Sequence, residues 1–196
     1  MRRALEAATT ILGERGDMSM KNETNVRRSG EDELLFFSLE GLLPAGQALS
    51  VNTTYLILSL VSTHAENDNP ILLQELLTET EARLLLLLLE LPYYCPQEVL
   101  RASLFYSYSR LLAGLFASET VARAEWQRTI EEQRLHLQRA QELGTWKKEL
   151  KSLYNALSKL RAKLHPFGLG IALFASSLAY SLLPLSQISE VNEQQL

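Results

Sequence analysis

One cysteine, Cys95, stands among the 196 residues, so no intrachain disulfide can brace the fold. That scarcity fits a chain kept in a reducing cytoplasm. There are only three histidines. His64, His136 and His165 lie far apart, and none sits in a metal-binding spacing such as His-Glu-x-x-His. No glycine-rich phosphate loop occurs, and the glycines of His165-Pro-Phe-Gly-Leu-Gly170 read as a turn. Cys95 has no neighbouring base to activate it, which favours an inert buried thiol. No enzyme, metal or cofactor is expected. A basic excess is missing too: 19 Lys and Arg against 23 Asp and Glu leave a net charge of −4. Any affinity for nucleic acid must therefore come from a local patch.

Long apolar runs are also lacking. Leu84 to Leu89 is six leucines held between Arg83 and Glu90, far below the roughly 20 residues of a membrane span. It reads as a helix buried on all sides. Phe167 to Leu183 is uncharged for 17 residues, the short limit for a span. Its serines and its alternation at Ser177-Leu-Ala-Tyr-Ser-Leu182 favour a two-stranded hairpin, turning near Ala175-Ser-Ser177. The competing reading is a tail anchor at 167–183. The amino-terminal stretch has two arginines and no apolar core, so no secretory signal is expected.

Against these absences, several local signals are strong. Residues 1–33 carry no apolar period and are expected to form a mobile or disordered arm, with a short helix near Arg2 to Leu12. An ordered element at Leu34 to Leu43 ends in the turn Pro44-Ala-Gly46. Thr53 to Thr63 is rich in strand formers, Glu66-Asn-Asp-Asn-Pro70 is a turn, and Ile71 to Leu76 can return as a hairpin partner. Thr78-Glu-Thr-Glu81 fits a capping box opening a helix that runs to about Leu91, before Pro92. Pro96 suits the first position of the next helix, over Gln97 to Phe105 with an extension toward Phe116. Ser118 to Glu142 reads as a polar helix with the narrow stripe Trp126, Ile130, Leu137 and Ala140. After a break at Gly144-Thr145, Trp146 to Leu164 reads as one amphipathic helix. Its leucines 150, 153, 157, 160 and 164 recur at spacings of three and four.

Two segments carry a family resemblance. LTETEARLLLLLLELPYYCPQEVLRASLF (77–105) resembles the first two helices of the winged-helix effector domain of OmpR/PhoB-type response regulators. LYNALSKLRAKLHPFGLGIALFASSLAYSLLP (153–184) resembles the same family's recognition helix and wing, with a basic Ser-x-Leu-Arg-x-x-Leu run. The resemblance covers about a third of the chain. It implies an α+β winged helix-turn-helix with an N-terminal β-hairpin or sheet and a C-terminal wing hairpin. The domain would span 34–185, interrupted by a helical insertion at about 106–145, with a tail at 186–196. Besides that insertion, which lengthens the family's tight link between the second and third helices, three departures accompany it, one being a wing turn one residue longer than the family's. The wing lacks the family's arginines, and no room remains before residue 50 for a phosphoacceptor receiver domain.

The function implied is a cytoplasmic DNA-binding regulator of transcription, with helix 146–164 in the major groove. Lysines 148, 151, 159 and 163 and Arg161 would meet phosphates, and Asn155 or Ser158 would approach base edges. A bare wing argues for weak binding as a monomer, so a homodimer or a protein partner held through the insertion is expected. Trp126, Ile130 and Leu137 either pack back on the domain or form a dimer seam. The alternatives are a winged-helix-derived protein-interaction module without DNA binding, and the tail-anchored membrane protein.

Overall fold

The computed structural model describes residues 34–63, 70–116, 120–174 and 178–188. The N-terminal arm (1–33), most of the turn at 66–70, the turn at 175–177 and the end of the tail lie outside the described residues. The described part is α+β. Four antiparallel strands come first: β1 (Leu34–Phe37), β2 (Gln47–Asn52), β3 (Ile57–Ser62) and β4 (Ile71–Leu76), in the order β1-β2-β3-β4. Leu35 lies opposite Val51, Phe37 opposite Leu49, and Val51 opposite Leu58. Alternation puts these five side chains on one face, and all are buried in the core.

The hairpin of β3 with β4 matches the sequence expectation, but two details differ. Thr53 to Leu56 is a turn, although its residues favour strands. The Asn52 side chain decides this: its Oδ1 accepts the amides of Thr54 at 3.0 Å and Tyr55 at 2.8 Å. An asparagine that bonds the backbone two and three residues on imposes a turn over strand propensity. Leu56 completes it with φ +55°. The strand β2, with Leu49 and Val51 inward, was not expected from sequence at all.

Thr78 caps the first helix, α1 (Glu79–Glu90), in a full capping box. Thr78 Oγ1 accepts the Glu81 amide at 3.3 Å, and the Thr78 amide donates to Glu81 Oε2 at 2.8 Å. Leu84 to Leu89 are all buried, because α1 is packed by neighbours on every side. Around it lie α2 (Gln97–Leu104), α3 (Tyr108–Phe116) and α6 (Lys151–Leu164), described below, and strand β7 (Ala179–Pro184). Pro96 is not the first helical residue. It precedes α2 in extended geometry (φ −59°, ψ 145°) and forms the short strand β5 with Cys95. β5 pairs with β7, and β7 pairs with β6 (Leu169–Phe174), giving a three-stranded sheet of order β5-β7-β6.

The extension of α2 toward Phe116 is interrupted at Phe105 to Ser107, and α3 follows as a separate helix. The break buries Tyr106, whose ring lies 5.4 Å from that of Trp126 on α4 (Thr120–Glu142). A Cβ at Gly114 would sit 3.1 Å from Trp126 Cβ, so a glycine there lets α3 and α4 approach closely. Trp126, Ile130, Leu137 and Ala140 are buried, with α4 packed on α2 and α3. The stripe is thus spent inside the domain, and a dimer seam built on it is excluded.

The expected helix over 146–164 is split. A short turn, α5 (Trp146–Glu149), is separated from α6 by Leu150 at φ −96°, ψ −2°. All five stripe leucines are still fully buried. After α6 a 3-10 turn (His165–Phe167) ends at Gly168, φ +74°, and the chain enters the β6–β7 hairpin. The segment weighed as an anchor therefore contains two strands. Among the described residues no helix is long and apolar enough to cross a membrane. Residues 185–188 are helical and fold back on β6: Leu185 donates to the Gly168 carbonyl at 2.9 Å, and Ile188 fills the space a side chain at Gly170 would need. The tail thus begins on the domain surface, packed against it as far as Ile188.

Candidate nucleic-acid interface

Burial of the leucine stripe fixes which side of α6 meets solvent. Lys151, Ser152, Tyr154, Asn155, Ser158, Lys159 and Ala162 are exposed. Lys151, Asn155, Ser158 and Ala162 follow spacings of four, three and four, so they form one row opposite the leucines. The helix from Lys151 to Leu164 contains no acid. Its outward surface is short polar side chains with a lysine on the row and another beside it, which allows close approach to a polyanion.

The nearest acid in sequence, Glu149, is occupied elsewhere. Its Oε2 accepts from Arg101 Nη2 at 2.9 Å and lies 2.8 Å from His136 Nε2. The hydrogen bond with His136, helped by the Arg101 guanidinium, outweighs partial burial and holds the Glu149 carboxyl below the usual carboxylate range. Arg101 itself is 4% exposed, bonds Gln133 Oε1 on α4, and lies 4.9 Å over the Phe105 ring. One buried guanidinium thus fastens helix α4 and the α5 turn to α2. Burial pulls its pKa down, and Glu149 opposes that fall.

Three polar ties orient α6. Gln97 Nε2 on α2 donates to the Tyr154 hydroxyl at 3.2 Å. Arg161 Nε donates to the Ile171 carbonyl on β6 at 2.9 Å. Lys163 Nζ donates to Glu81 Oε2 at 2.9 Å and to the Leu76 carbonyl at 2.5 Å, with Glu75 at 3.9 Å. Burial pushes the Glu81 carboxyl up, but the Thr78 amide, the Lys163 ammonium and the Thr78 hydroxyl together hold it below the ordinary range.

The seven residues singled out from sequence therefore separate. Lys151, Asn155, Ser158 and Lys159 share the open face of α6, and Lys148 is exposed on α5 just before it. Arg161 and Lys163 are half-buried and serve the domain's interior bonds. Sequence reasoning passed over Tyr154 and Ser152, which border the same face. The spacing of the leucines could have located them. It also places Arg161 and Lys163 at the stripe's flanks, where a long stem runs along the domain surface before its charge finds a partner.

The hairpin that follows is uncharged in its strands, with Leu169, Ile171, Tyr180 and Leu182 buried. Desolvation, with the Tyr154 hydroxyl nearby, pushes the Tyr180 phenol up to about 12. Burial and Glu98 push the Cys95 thiol up, so it stays protonated and unreactive. Among the described residues no group of three or more His, Cys, Asp or Glu could hold a metal ion. Comparison of the chain with models of known families, with curated proteins and with solved structures finds no match to any of them.

Proposed function

We propose that the chain is a DNA-binding regulator of winged-helix type, with α6 as the recognition helix and β6–β7 as a wing. The observation that carries the reading is the acid-free outward face of α6, fixed in orientation by buried leucines and three polar ties. A recognition helix needs small polar residues near base edges and cations at the flanking phosphates. Asn155 and Ser158 supply the first, and Lys148, Lys151 and Lys159 the second. The helical sequence α1, α2 and α6, followed directly by a hairpin, agrees with the OmpR/PhoB-type resemblance, with α3 to α5 as the inserted segment. The reading is of a non-enzymatic protein of the cytoplasm that acts as a dimer or with a partner.

The test is binding of labelled duplex DNA across a salt series. Binding whose log affinity falls linearly with log salt, reduced by alanine at Lys148, Lys151 and Lys159, is the expected result. No binding at low salt overturns the reading.

A second reading has its own observation. Arg161 and Lys163 are used internally, and the strands of the hairpin carry no cation. The same face would then dock a protein partner. In that case duplex DNA fails to bind, and substitutions at Tyr154 and Asn155 abolish capture of a partner while the fold is kept.

A further inference from the structure

With its apolar stripe buried, α4 turns a second side to solvent, and that side has an internal symmetry. Arg128, Glu131, Leu135, Arg139 and Glu142 are all exposed. Arg128 and Glu142 lie seven residues either side of Leu135, and Glu131 and Arg139 lie four either side. All five project from the face opposite Trp126, Ile130 and Leu137. Leu135 is 48% exposed in the middle of this charged row, an apolar residue that the described residues leave uncovered.

Opposite charges at equal distances from one point are what an antiparallel self-pairing requires. We infer that α4 is the contact between two copies of this chain, packed antiparallel with Leu135 on the twofold axis. Leu135 then meets the partner's Leu135. Arg128 faces the partner's Glu142, and Glu131 faces the partner's Arg139. Each ion pair occurs twice by symmetry. Parallel packing would instead set each charge against its own copy, which is repulsive. Glu131 already pairs within its helix with Arg134 at 2.7 Å, and its carboxylate can accept from a second arginine as well. Arg128 and Glu142 carry the larger share of the specificity.

The surface is small: one leucine contact and rim ion pairs. Affinity is expected on the order of 10–100 µM, tighter at low salt. The inference stands apart from the nucleic-acid reading, because the residues and the helix are different and the readout is association without DNA.

Cysteine placement tests the geometry cleanly, since Cys95 is the chain's single thiol and is fully buried. Leu135→Cys in the full chain is expected to give a disulfide-linked dimer on mild oxidation. Arg123→Cys, exposed on the same helix, should not, because its two copies would lie about 36 Å apart along the pair. Sedimentation equilibrium supplies the second arm. Arg128→Glu is expected to weaken dimerisation about tenfold, and Arg128→Glu with Glu142→Arg to restore it. A native chain that stays monomeric at ~300 µM in low salt overturns the inference. So does equal cross-linking at 135 and 123, or a charge swap that fails to restore association.

Discussion

The cations of α6 divide into two kinds, and the division runs around the helix. Toward its start, Lys151 projects into solvent with Asn155, and Lys159 follows. Toward its end, Arg161 and Lys163 turn back, one to a strand carbonyl and the other to a buried carboxylate. Both sets are long side chains that carry one positive charge. What separates them is position relative to the leucines. A cation on the row opposite the stripe faces away from the other described residues, while one at the stripe's flank can carry its charge into the domain along an apolar stem. The outer cations cost little to remove and are free for a ligand. The inner ones stabilise the fold that presents the others.

Predictions that break this comparison start with the residue on which both helix supports converge. Arg101→Met should cost about 3 kcal/mol in urea unfolding, because it removes the charged hydrogen bonds to Glu149 and Gln133, leaves Glu149 to His136, and loosens α4 and α5 from α2. Lys163→Met should cost about 2 kcal/mol, since Glu81 is buried and loses the ammonium that lies 2.9 Å from its Oε2. Arg161→Met should cost about 1 kcal/mol, for one hydrogen bond to the Ile171 carbonyl.

A pH series sharpens the middle case. Glu81 is held below the ordinary carboxylate range in the folded chain. Its contribution is therefore complete above that range and is lost as the pH falls through the folded value. In Lys163→Met the desolvation that raises Glu81 is less opposed. The acid loss of melting temperature should then begin at higher pH than in the native chain. A variant whose acid limb coincides with the native one would show that Lys163 does not set the Glu81 charge.

Much of the scaffold is legible in the sequence where one short-range rule decides the outcome. Thr78 and Glu81 specify a cap reciprocally, six leucines in a row require burial all round, and the leucine stripe fixes the inner face of α6. The hairpin at 169–184 follows from period-two alternation. Legibility fails where a partner distant in sequence decides. Strand β2 has its signal in Leu49 and Val51, but the short strand is anchored by Leu35 and Leu58 across the sheet. Asn52 converts strand-forming residues into a turn with two hydrogen bonds. Glu81 looks like a helix cap alone and proves also to be the seat of Lys163, 82 residues away in sequence. For the candidate site, five exposed residues were named, Ser152 and Tyr154 beside them were missed, and the two internal cations were not separated from the rest. Charge type is written in the sequence, but its destination is not.

The most direct measurement is the salt dependence of duplex DNA binding for the native chain and for Lys151→Gln with Lys159→Gln. The double variant should melt at the native temperature and lose about two from the slope of log affinity against log salt, roughly one for each phosphate contact removed. An unchanged slope in a well-folded double variant would contradict the assignment of the outer face of α6 to nucleic acid.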